Sequence, residues 1–414
     1  MLVADPQAHI AESFVEALQH SRRAATRAAR LRDGGDAHAD RAVAEAGNQA
    51  FFEAVAGALE PFVDARAVAE LAIAGRSAAP QVYSDAVPYA LRDWGHSDAS
   101  EAELRAIDTR VRALLPPGPG GTALVLGAGT GRTAWDLRDH FDEVVAIDRT
   151  FAMAYAFTRI HAGGLTLHES HLCTDGPSRF AARLLTPGPQ PVRRGAFELW
   201  VANASELPVA DASVDAVCCF YFLDVLRLST LVAEIRRVLR PGGYLLNLGP
   251  LIYHHDEILE HLDPERIRGL LQSFDLVIDR GSEEWTASSH LKLSSSMVKM
   301  ISHHTWSFRA DLSPRRVTRA TVLRARYPIS VHIERARGDE TVTLSSAGKL
   351  LEVEMLQADA VTLLDGQRTV QSCIDVLCET YELDDAAQAS IVEEFERLRT
   401  IGFLEWVLDP PDRI

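Results

Sequence analysis

The stretch Leu124–Arg132, which reads LVLGAGTGR, decides the fold. An apolar run leads into three glycines, Gly127, Gly129 and Gly131, and a helix-forming segment, GRTAWDLRDH, follows. Glycine lets the backbone turn sharply and approach a ligand closely, and the start of a helix offers free N–H groups. The stretch therefore predicts a strand, a ligand-holding loop and a helix.

The segments around this unit alternate between strands and helices. The further strands are predicted in EVVAID (143–148), LWVANA (199–204), VDAVCCFYF (214–222) and GGYLLNLGPL (242–251). Apolar strands separated by helices predict a parallel sheet that is covered on both faces, so the fold class is α/β and Rossmann-like. We expect three units: a helical region (1–115), the sheet domain (116–338) and a winged-helix-like module (339–414).

Asp148 ends the second predicted strand, 17 residues after Gly131. A carboxylate at this point can accept two hydrogen bonds from a ribose diol, which NAD and S-adenosylmethionine (SAM) both contain. The later features VANASELPVADASVDAV (201–217) and RPGGYLL (240–246) complete a series that resembles the class I SAM-dependent methyltransferases. The resemblance covers about 130 residues and implies SAM as the cofactor.

The resemblance also implies which residues bind the cofactor. Asn203 departs mildly from the pattern, because that position is more often Asp in such enzymes. Arg92, in the upstream segment ALRDWGH, either contacts the SAM carboxylate or belongs to a structural hinge with Asp93 and Trp94. The implied cofactor-binding residues are Gly127, Gly129, Gly131 and Arg132 on the methionine and ribose side, Asp148 at the ribose, Asn203 and Ala204 at the adenine, and Arg92.

The composition excludes several classes of partner. Hydrophobic residues make up 47% of the 414 residues and the formal net charge is −16, so no excess of Lys or Arg is available to neutralise nucleic-acid phosphates. No apolar run is long enough to span a bilayer, and the N-terminus lacks the pattern of a secretory signal. The five cysteines fit neither a zinc site nor a disulfide framework. We expect a cytoplasmic protein without a membrane, nucleic-acid or metal partner.

Two apolar strands deliver polar residues to the same edge of the predicted sheet. VDAVCCFYF leads to Asp224, and GGYLLNLGPL leads to Tyr253, His254 and His255. Ligands of open α/β sheets bind at the carboxyl ends of the strands. Asp224 and the histidines are therefore expected to face the cofactor and a substrate.

Four ordered segments resemble the carnosine N-methyltransferase family. They are QVYSDAVPYALRDWGHSDASEAE (81–103), FYFLDV (220–225), NLGPLIYHH (247–255) and SHLKLSSSMVKMISHHTWSFRA (289–310). That family methylates the imidazole nitrogen of histidine that lies nearer the side-chain attachment point. The resemblance implies that Asp224 and His254 are the catalytic, imidazole-facing residues. The further substrate-binding candidates on these segments are Tyr221, Tyr253, His255, His303 and Trp306.

The chemistry of imidazole agrees with this reading. Neutral imidazole has one lone-pair nitrogen and one N–H nitrogen. A carboxylate that accepts from the N–H fixes the tautomer, aims the other nitrogen at the methyl group and stabilises the positive charge that develops on the ring. Asp224 suits this role, and His254 can position the ring or accept a proton.

Other readings of these residues stay open. Asp224 could cap the helix that starts near Arg227. The adjacent His303 and His304 point to opposite faces if they lie on a strand, which disfavours a metal site. A methyltransferase could act on a carboxylate or hydroxyl acceptor of a peptide natural product instead. A catalytically inactive methyltransferase fold that only binds peptide is a further alternative.

The C-terminal segment AVTLLDGQRTVQSCIDVLCETYELDDAAQASIVEEFERLRTIGFLEW (360–406) resembles PqqD-like domains, which bind leader peptides in ribosomal peptide biosynthesis. In that family the leader adds a strand to a sheet edge. The resemblance implies that a leader peptide docks here and raises the local concentration of a core histidine. The open alternative is a packing or dimerisation module, which would make the protein a homodimer.

Overall fold

The computed structural model describes most of the chain. The described residues are 6–73, 85–118, 120–171, 178–188, 195–255, 258–293, 298–313, 319, 321–325, 328–336, 339–346, 349–401 and 403–406.

Five α-helices precede the sheet in the described part of residues 6–118. They are α1 (Pro6–Asp33), α2 (Ala39–Leu59), α3 (Ala65–Ile73), α4 (Ala86–Trp94) and α5 (Asp98–Leu114). The Gly34–Gly35 pair separates α1 from α2, because Gly35 takes a φ of 85° that other residues rarely adopt. The two long helices then pack along each other and bury a stripe of alanines together with Phe51, Phe52 and Val55.

The central sheet is built from the strands that the glycine loop opens. Its strands are β1 (Thr122–Leu126), β2 (Glu143–Asp148), β5 (Ala196–Val201), β6 (Val214–Phe220), β7 (Leu239–Gly249), β8 (Leu276–Ile278), β9 (Glu284–Leu293) and β10 (Val298–Leu312). The order is β5-β2-β1-β6-β7-β10-β8, with β9 paired to β10. The helices α6 (Arg132–Asp136), α7 (Phe151–His161), α8 (Leu228–Val238) and α9 (Pro264–Ser273) lie between these strands.

The strands from β5 to β7 are parallel, which confirms the Rossmann-like expectation. Beyond the predicted parallel strands, the sheet also contains β10, which runs antiparallel to both β7 and β8. A reversed strand needs only a hairpin-type return, whereas a parallel strand needs a crossover helix. The sheet is thus mixed, with its reversed strand near one edge.

Two hairpins are added to this core. The first pairs β3 (Leu165–His171) with β4 (Arg179–Leu185) and packs on α2. The second pairs β9 with β10. Because Gly249, the last residue of β7, lies opposite Trp306, the residues Val298–Thr305 of β10 extend beyond the carboxyl end of β7. β9 also contacts α4 and α5, so this hairpin spans the carboxyl end of the sheet.

The C-terminal unit contains two small sheets and three helices. Its elements are β11 (Val322–Ala325), β12 (Ser330–Ala336), β13 (Asp339–Ser346), β14 (Lys349–Val353), α10 (Met355–Thr362), β15 (Asp365–Thr369), α11 (Val370–Thr380), α12 (Asp385–Thr400) and β16 (Leu404–Trp406). The sheets are β12-β13-β14 and β15-β11-β16. The expected boundary between residues 338 and 339 falls inside the first sheet, between the paired strands β12 and β13. We therefore place the boundary after Leu312.

The C-terminal unit is held to the central domain by a buried ion pair. Arg399 on α12 and Asp275, which precedes β8, are both fully buried, and Arg399 Nη1 lies 3.0 Å from Asp275 Oδ2. Arg236, in the last turn of α8, lies 3.7 Å from the same carboxylate. These residues lie at the amino end of β7 and β8, so the unit attaches opposite the edge where the glycine loop opens.

No described helix of this protein combines the length and apolar character that crossing a membrane requires.

Candidate functional site

The three glycines of the loop have different surroundings. All three take positive φ values, 62° at Gly127, 56° at Gly129 and 81° at Gly131. A Cβ at Gly127 would lie 2.0 Å from the ring of Phe222, and one at Gly131 would lie 3.0 Å from Leu199. A Cβ at Gly129 would meet nothing within 4 Å. Packing thus requires a glycine at position 127 and leaves little room at Gly131, whereas Gly129 presents an open backbone surface that a ligand can approach.

Asp148 connects the end of β2 to the glycine loop. Its Oδ2 accepts a hydrogen bond from the Gly129 N–H at 2.8 Å, and its Oδ1 accepts one from the Thr150 N–H at 2.8 Å. Burial raises the pKa of Asp148 to about 6, against the opposing effect of these hydrogen bonds. A carboxylate is therefore positioned beside the open glycine surface, where a ribose would lie.

Asn203 and Ala204 follow β5 at the same edge of the sheet. The Asn203 Oδ1 accepts a hydrogen bond from the Ser205 N–H at 3.0 Å. This turn leaves the Asn203 amide NH₂ as the group that can donate to a ligand. Ala204 is buried in the core beside it.

Helix α4 closes over the glycine loop. The Asp93 Oδ2 accepts from the Thr130 hydroxyl at 2.5 Å, and the Trp94 indole N–H donates to the Thr130 carbonyl at 3.1 Å. The Arg92 guanidinium pairs with Asp93 Oδ1 at 2.7 Å. These contacts place Arg92 next to the loop, and nothing in the sequence pattern indicates that Asp93 contacts Thr130.

The position of Arg132 differs from the cofactor-binding prediction. Its Nη1 donates to the Asp93 carbonyl at 2.8 Å, and its Nε donates to Asp136 at 2.9 Å. The guanidinium also lies over the Trp94 ring, 5.3 Å from its centroid. These contacts commit Arg132 to joining α4 and α6, because the side chain of the first helical residue leaves the loop.

These residues fit a SAM molecule. The open surface at Gly129 is the cradle that a Cβ would fill, and Asp148 lies beside it as an acceptor for a diol. Asn203 offers an amide donor at the neighbouring strand end, and Arg92 offers a cation for a carboxylate. The donor set therefore matches the ribose, the adenine and the amino-acid end of the cofactor.

Asp224 follows β6, two residues after Phe222, and is almost fully buried, with 1% of its surface exposed. Its Oδ2 accepts from the Ile252 N–H at 2.7 Å, and its main-chain carbonyl accepts from the His254 N–H at 3.1 Å. The residue before α8 is Arg227, which makes no side-chain cap, so the alternative of a helix-capping Asp224 does not hold. Asp224 instead ties the loop after β6 to the loop after β7.

Two tyrosines at these strand ends have strained backbones. Tyr221 has a φ of 55° and Tyr253 a φ of 56°, values that bulky residues adopt rarely and mostly at functional sites. The Tyr253 hydroxyl donates to the Leu262 carbonyl, and its ring stacks on His261 at 4.7 Å. The hydroxyl of Tyr253 is therefore committed to the loop, and its ring is the part that can face a substrate.

The two histidines of the NLGPLIYHH segment have different environments. His254 is exposed. His255 is half-buried, with its ring 5.8 Å from Tyr253 and 5.0 Å from His261. Both ring nitrogens of His255 are buried without a hydrogen-bond partner among the described residues. The histidines thus flank the loop that Asp224 holds.

The remaining candidates lie on β10. The backbone of His303 pairs with Ser288, but its side chain lies outside the described part of the structure. His304 is exposed. Trp306 is fully buried, stacks on Trp285 at 5.4 Å and donates from its indole to Glu283 at 3.1 Å. We therefore correct the substrate-binding prediction for Trp306, which packs in the core because it lies opposite Gly249, a residue without a side chain.

The described residues contain no cluster of His, Cys, Asp and Glu that could hold a metal ion. Cys218 and Cys219 are buried free thiols, and burial raises the pKa of Cys218 to about 12. A thiol of such a high pKa is a poor nucleophile at neutral pH. Cys218 and Cys219 are therefore core residues of β6.

Phe222 is a site residue that the sequence analysis overlooked. Its ring touches the Gly127 backbone and so joins the loop after β6 to the cofactor loop. The signal available in the sequence was its position two residues before Asp224.

Two family models match stretches of the chain that contain these site residues. A family model described as a methyltransferase domain matches residues 124–247, and one described as carnosine N-methyltransferase matches residues 186–311. No curated protein matches this chain.

Solved structures that resemble the chain include a SAM-dependent methyltransferase from Methanosarcina mazei, at 17% identity over 50% of this chain and 97% of that one, with a TM-score of 0.31. Another is the magnesium protoporphyrin IX methyltransferase from Synechocystis PCC 6803 with bound SAM, at 14% identity over 52% and 82%, with a TM-score of 0.33. With TM-scores at this level, the assignment rests on the sheet and the family models. The chain contains a SAM-dependent methyltransferase domain, and SAM is its cofactor.

Proposed function

We propose that this protein is a SAM-dependent N-methyltransferase that methylates an imidazole nitrogen of histidine in a peptide or a small histidine derivative. One observation carries the proposal: a nearly fully buried carboxylate, Asp224, lies two residues beyond Phe222, whose ring touches Gly127 of the cofactor loop. The carnosine N-methyltransferase model covers Asp224 and the loop up to His255, which supports an imidazole acceptor.

Bound SAM supplies an electrophilic methyl group on a sulfonium. Asp224 accepts a hydrogen bond from the N–H nitrogen of the substrate imidazole and so presents the lone pair of the other nitrogen. Ile252 N–H occupies the Oδ2 of Asp224, so Oδ1 is the oxygen assigned to the substrate. A buried carboxylate also stabilises the positive charge that the ring gains, and does so more strongly than it would in water.

His254 completes the proposed arrangement. Its main chain is fixed to the Asp224 carbonyl while its side chain is exposed at the rim. We assign it a part in orienting the imidazole and in accepting the proton that is released after methylation. We also assign Tyr253 and Tyr221 to the substrate side, because both have strained backbones at these strand ends.

An Asp224→Asn variant tests this assignment. The amide oxygen can still accept from the Ile252 N–H, so the loop is kept while the charge is removed. Asp215→Asn is the matched control, because Asp215 also accepts a strand N–H, from Thr122 at 2.6 Å, but at the opposite end of β6. We expect the turnover of Asp224→Asn to fall by about 100-fold or more with unchanged SAM affinity, and Asp215→Asn to keep its turnover.

The assay uses carnosine and a blocked Gly-His-Gly peptide with SAM, and mass spectrometric fragmentation locates the added methyl group. Methyl on imidazole supports the proposal. Methyl on a carboxylate or hydroxyl would favour the alternative acceptor class. SAM binding without methylation of any histidine substrate would reject the proposed function. Wild-type turnover in Asp224→Asn would reject the role of Asp224.

We further propose that the C-terminal unit recruits a peptide substrate through a leader segment. β14 lies at the edge of its sheet among the described strands, and Leu350 on that strand is 74% exposed. An edge strand with an exposed apolar side chain is suited to β-augmentation by an extended peptide.

The test is isothermal titration of the full chain with the precursor peptide that is encoded beside its gene. Leu350→Glu should weaken binding, whereas Val376→Glu on α11, also an exposed apolar position of the same unit, should not. If neither the wild type nor the Val376 variant binds the peptide, the unit has a packing or dimerisation role instead.

A further inference from the structure

Asp93 occupies an unusual position for a carboxylate, because it is only 3% exposed and belongs to α4 rather than to the sheet. Its two oxygens have separate partners. Oδ1 accepts from the Arg92 guanidinium at 2.7 Å, and Oδ2 accepts from the Thr130 hydroxyl at 2.5 Å. The Asp93 carboxylate therefore holds the Arg92 guanidinium in place relative to the Thr130 hydroxyl.

Thr130 is the residue through which α4 grips the cofactor loop. It is fully buried between Gly129 and Gly131, which both take positive φ values. Its hydroxyl bonds to Asp93 and its carbonyl to the Trp94 indole, so both its side chain and its main chain are fixed by one helix. Glycines on either side would otherwise leave this part of the loop with large conformational freedom.

The contacts continue from Thr130 to the ribose side of the pocket. The neighbouring Gly129 donates its N–H to Asp148 Oδ2 at 2.8 Å. Asp93 thus stands between Arg92, assigned to the amino-acid end of SAM, and Asp148, assigned to the ribose. A Cβ at Gly129 would meet nothing within 4 Å, so the loop is open at the residue that precedes Thr130.

We infer that Asp93 is a positioning residue that sets the spacing between Arg92 and the glycine loop, and that it controls SAM affinity without touching SAM. The inference rests on cofactor binding at the loop and not on the identity of the methyl acceptor. It therefore survives if the imidazole proposal fails.

Three variants separate this role from simple packing of α4. Asp93→Asn keeps an acceptor for Thr130 but removes the charge that holds Arg92. Thr130→Val keeps the shape of the threonine but removes its hydroxyl, and Thr130→Ser restores the hydroxyl. Asp136→Asn is the control, because Asp136 pairs with Arg132 on α6 outside the loop.

The experiment measures SAM affinity by isothermal titration and thermal stability of the same samples without SAM. Asp93→Asn and Thr130→Val should each raise the Kd for SAM by about 10- to 100-fold, the loss expected for a buried charge-assisted hydrogen bond. Thr130→Ser should stay within about threefold of wild type, and Asp136→Asn should match wild type, since each keeps the contact at issue.

The double variant Asp93→Asn/Thr130→Val should raise the Kd by less than the product of the two single effects, because each single variant already breaks the connection that runs from Arg92 through Asp93 to Thr130. Lower melting temperatures with unchanged SAM affinity in both single variants would overturn the inference and leave Asp93 a packing residue. Failure of Thr130→Ser to restore affinity would overturn it as well, because the hydroxyl would then not be the coupling group.

Discussion

A substitution of Gly129 by alanine is the sharpest test of the cofactor pocket. The structure gives Gly129 a φ of 56° and open space in place of a Cβ. Alanine in the left-handed region costs about 1–2 kcal/mol, and no neighbouring atom adds a clash. The Gly129→Ala protein should therefore fold, with a stability loss of that size.

Gly242, near the start of β7, provides a matched control. It takes a φ of 81°, and a Cβ there also meets nothing within 4 Å. Gly242→Ala should consequently lose a similar stability, about 1–2 kcal/mol. The two glycines differ in position, because Gly242 lies at the amino end of the sheet and Gly129 at the carboxyl end, beside Asp148.

The two variants should differ in SAM affinity. A methyl group on the surface that the ligand approaches acts as overpacking, at about 1–3 kcal/mol, which corresponds to roughly a 5- to 150-fold increase in Kd. Gly242→Ala should bind SAM like the wild type. Urea unfolding and isothermal titration of both variants measure the two effects, and wild-type affinity in Gly129→Ala would refute the placement of SAM against this glycine.

Two further predictions concern charged groups. Arg399→Met should cost about 3–5 kcal/mol in urea unfolding, because it removes the nearer cation from the fully buried Asp275 and leaves Arg236 at 3.7 Å. Adding Asp275→Asn should recover part of this loss. A loss below about 1 kcal/mol in Arg399→Met would show that the pair does not hold the C-terminal unit. Burial raises the pKa of Asp148 from 3.8 to about 6. The stability that this group contributes is therefore fully present below about pH 4 and is lost as the pH rises through 6. SAM affinity should increase over the same range, because the carboxylate ionises. Asp148→Asn should abolish the pH dependence of SAM affinity between pH 4.5 and 7.5 and the part of the stability change that Asp148 causes. Burial also raises the pKa of Asp85 to about 6, and the variant distinguishes the effect of Asp148 from that of Asp85.

The strand–loop–helix unit and the acid that ends the next strand were predictable because their signals are local. A strand, three glycines and an acid at the end of the next strand are all readable from spacing, and the structure places Gly129 and Asp148 in direct contact. The position of Asp224 at the same edge followed from the rule that parallel strands end together. These inferences need only the period of the strands and the direction of the chain.

The unpredicted parts depend on contacts between distant segments. Asp93 and Thr130 are 37 residues apart, and no pattern in either segment shows that they meet. The committed hydroxyl of Tyr253 and the core position of Trp306 likewise depend on partners, Leu262 and Glu283, that sequence spacing does not identify. The reversed β10 was missed because an apolar strand shows the same residue pattern in either direction.

The attachment of the C-terminal unit restricts how a recruited peptide could reach the active site. Arg399 and Asp275 fix the unit at the amino end of the sheet, whereas Asp224 lies beyond the carboxyl end of β6. The seven residues of β6 span about 23 Å at 3.3 Å per residue. A peptide bound to both sites therefore needs about seven extended residues between its docking segment and its target histidine, and more if it follows the protein surface. A free dipeptide is too short to reach both sites. We therefore expect long peptides to be methylated faster than carnosine, and we expect this difference to disappear when the spacer is shortened. That result would show that docking and methylation act on the same molecule.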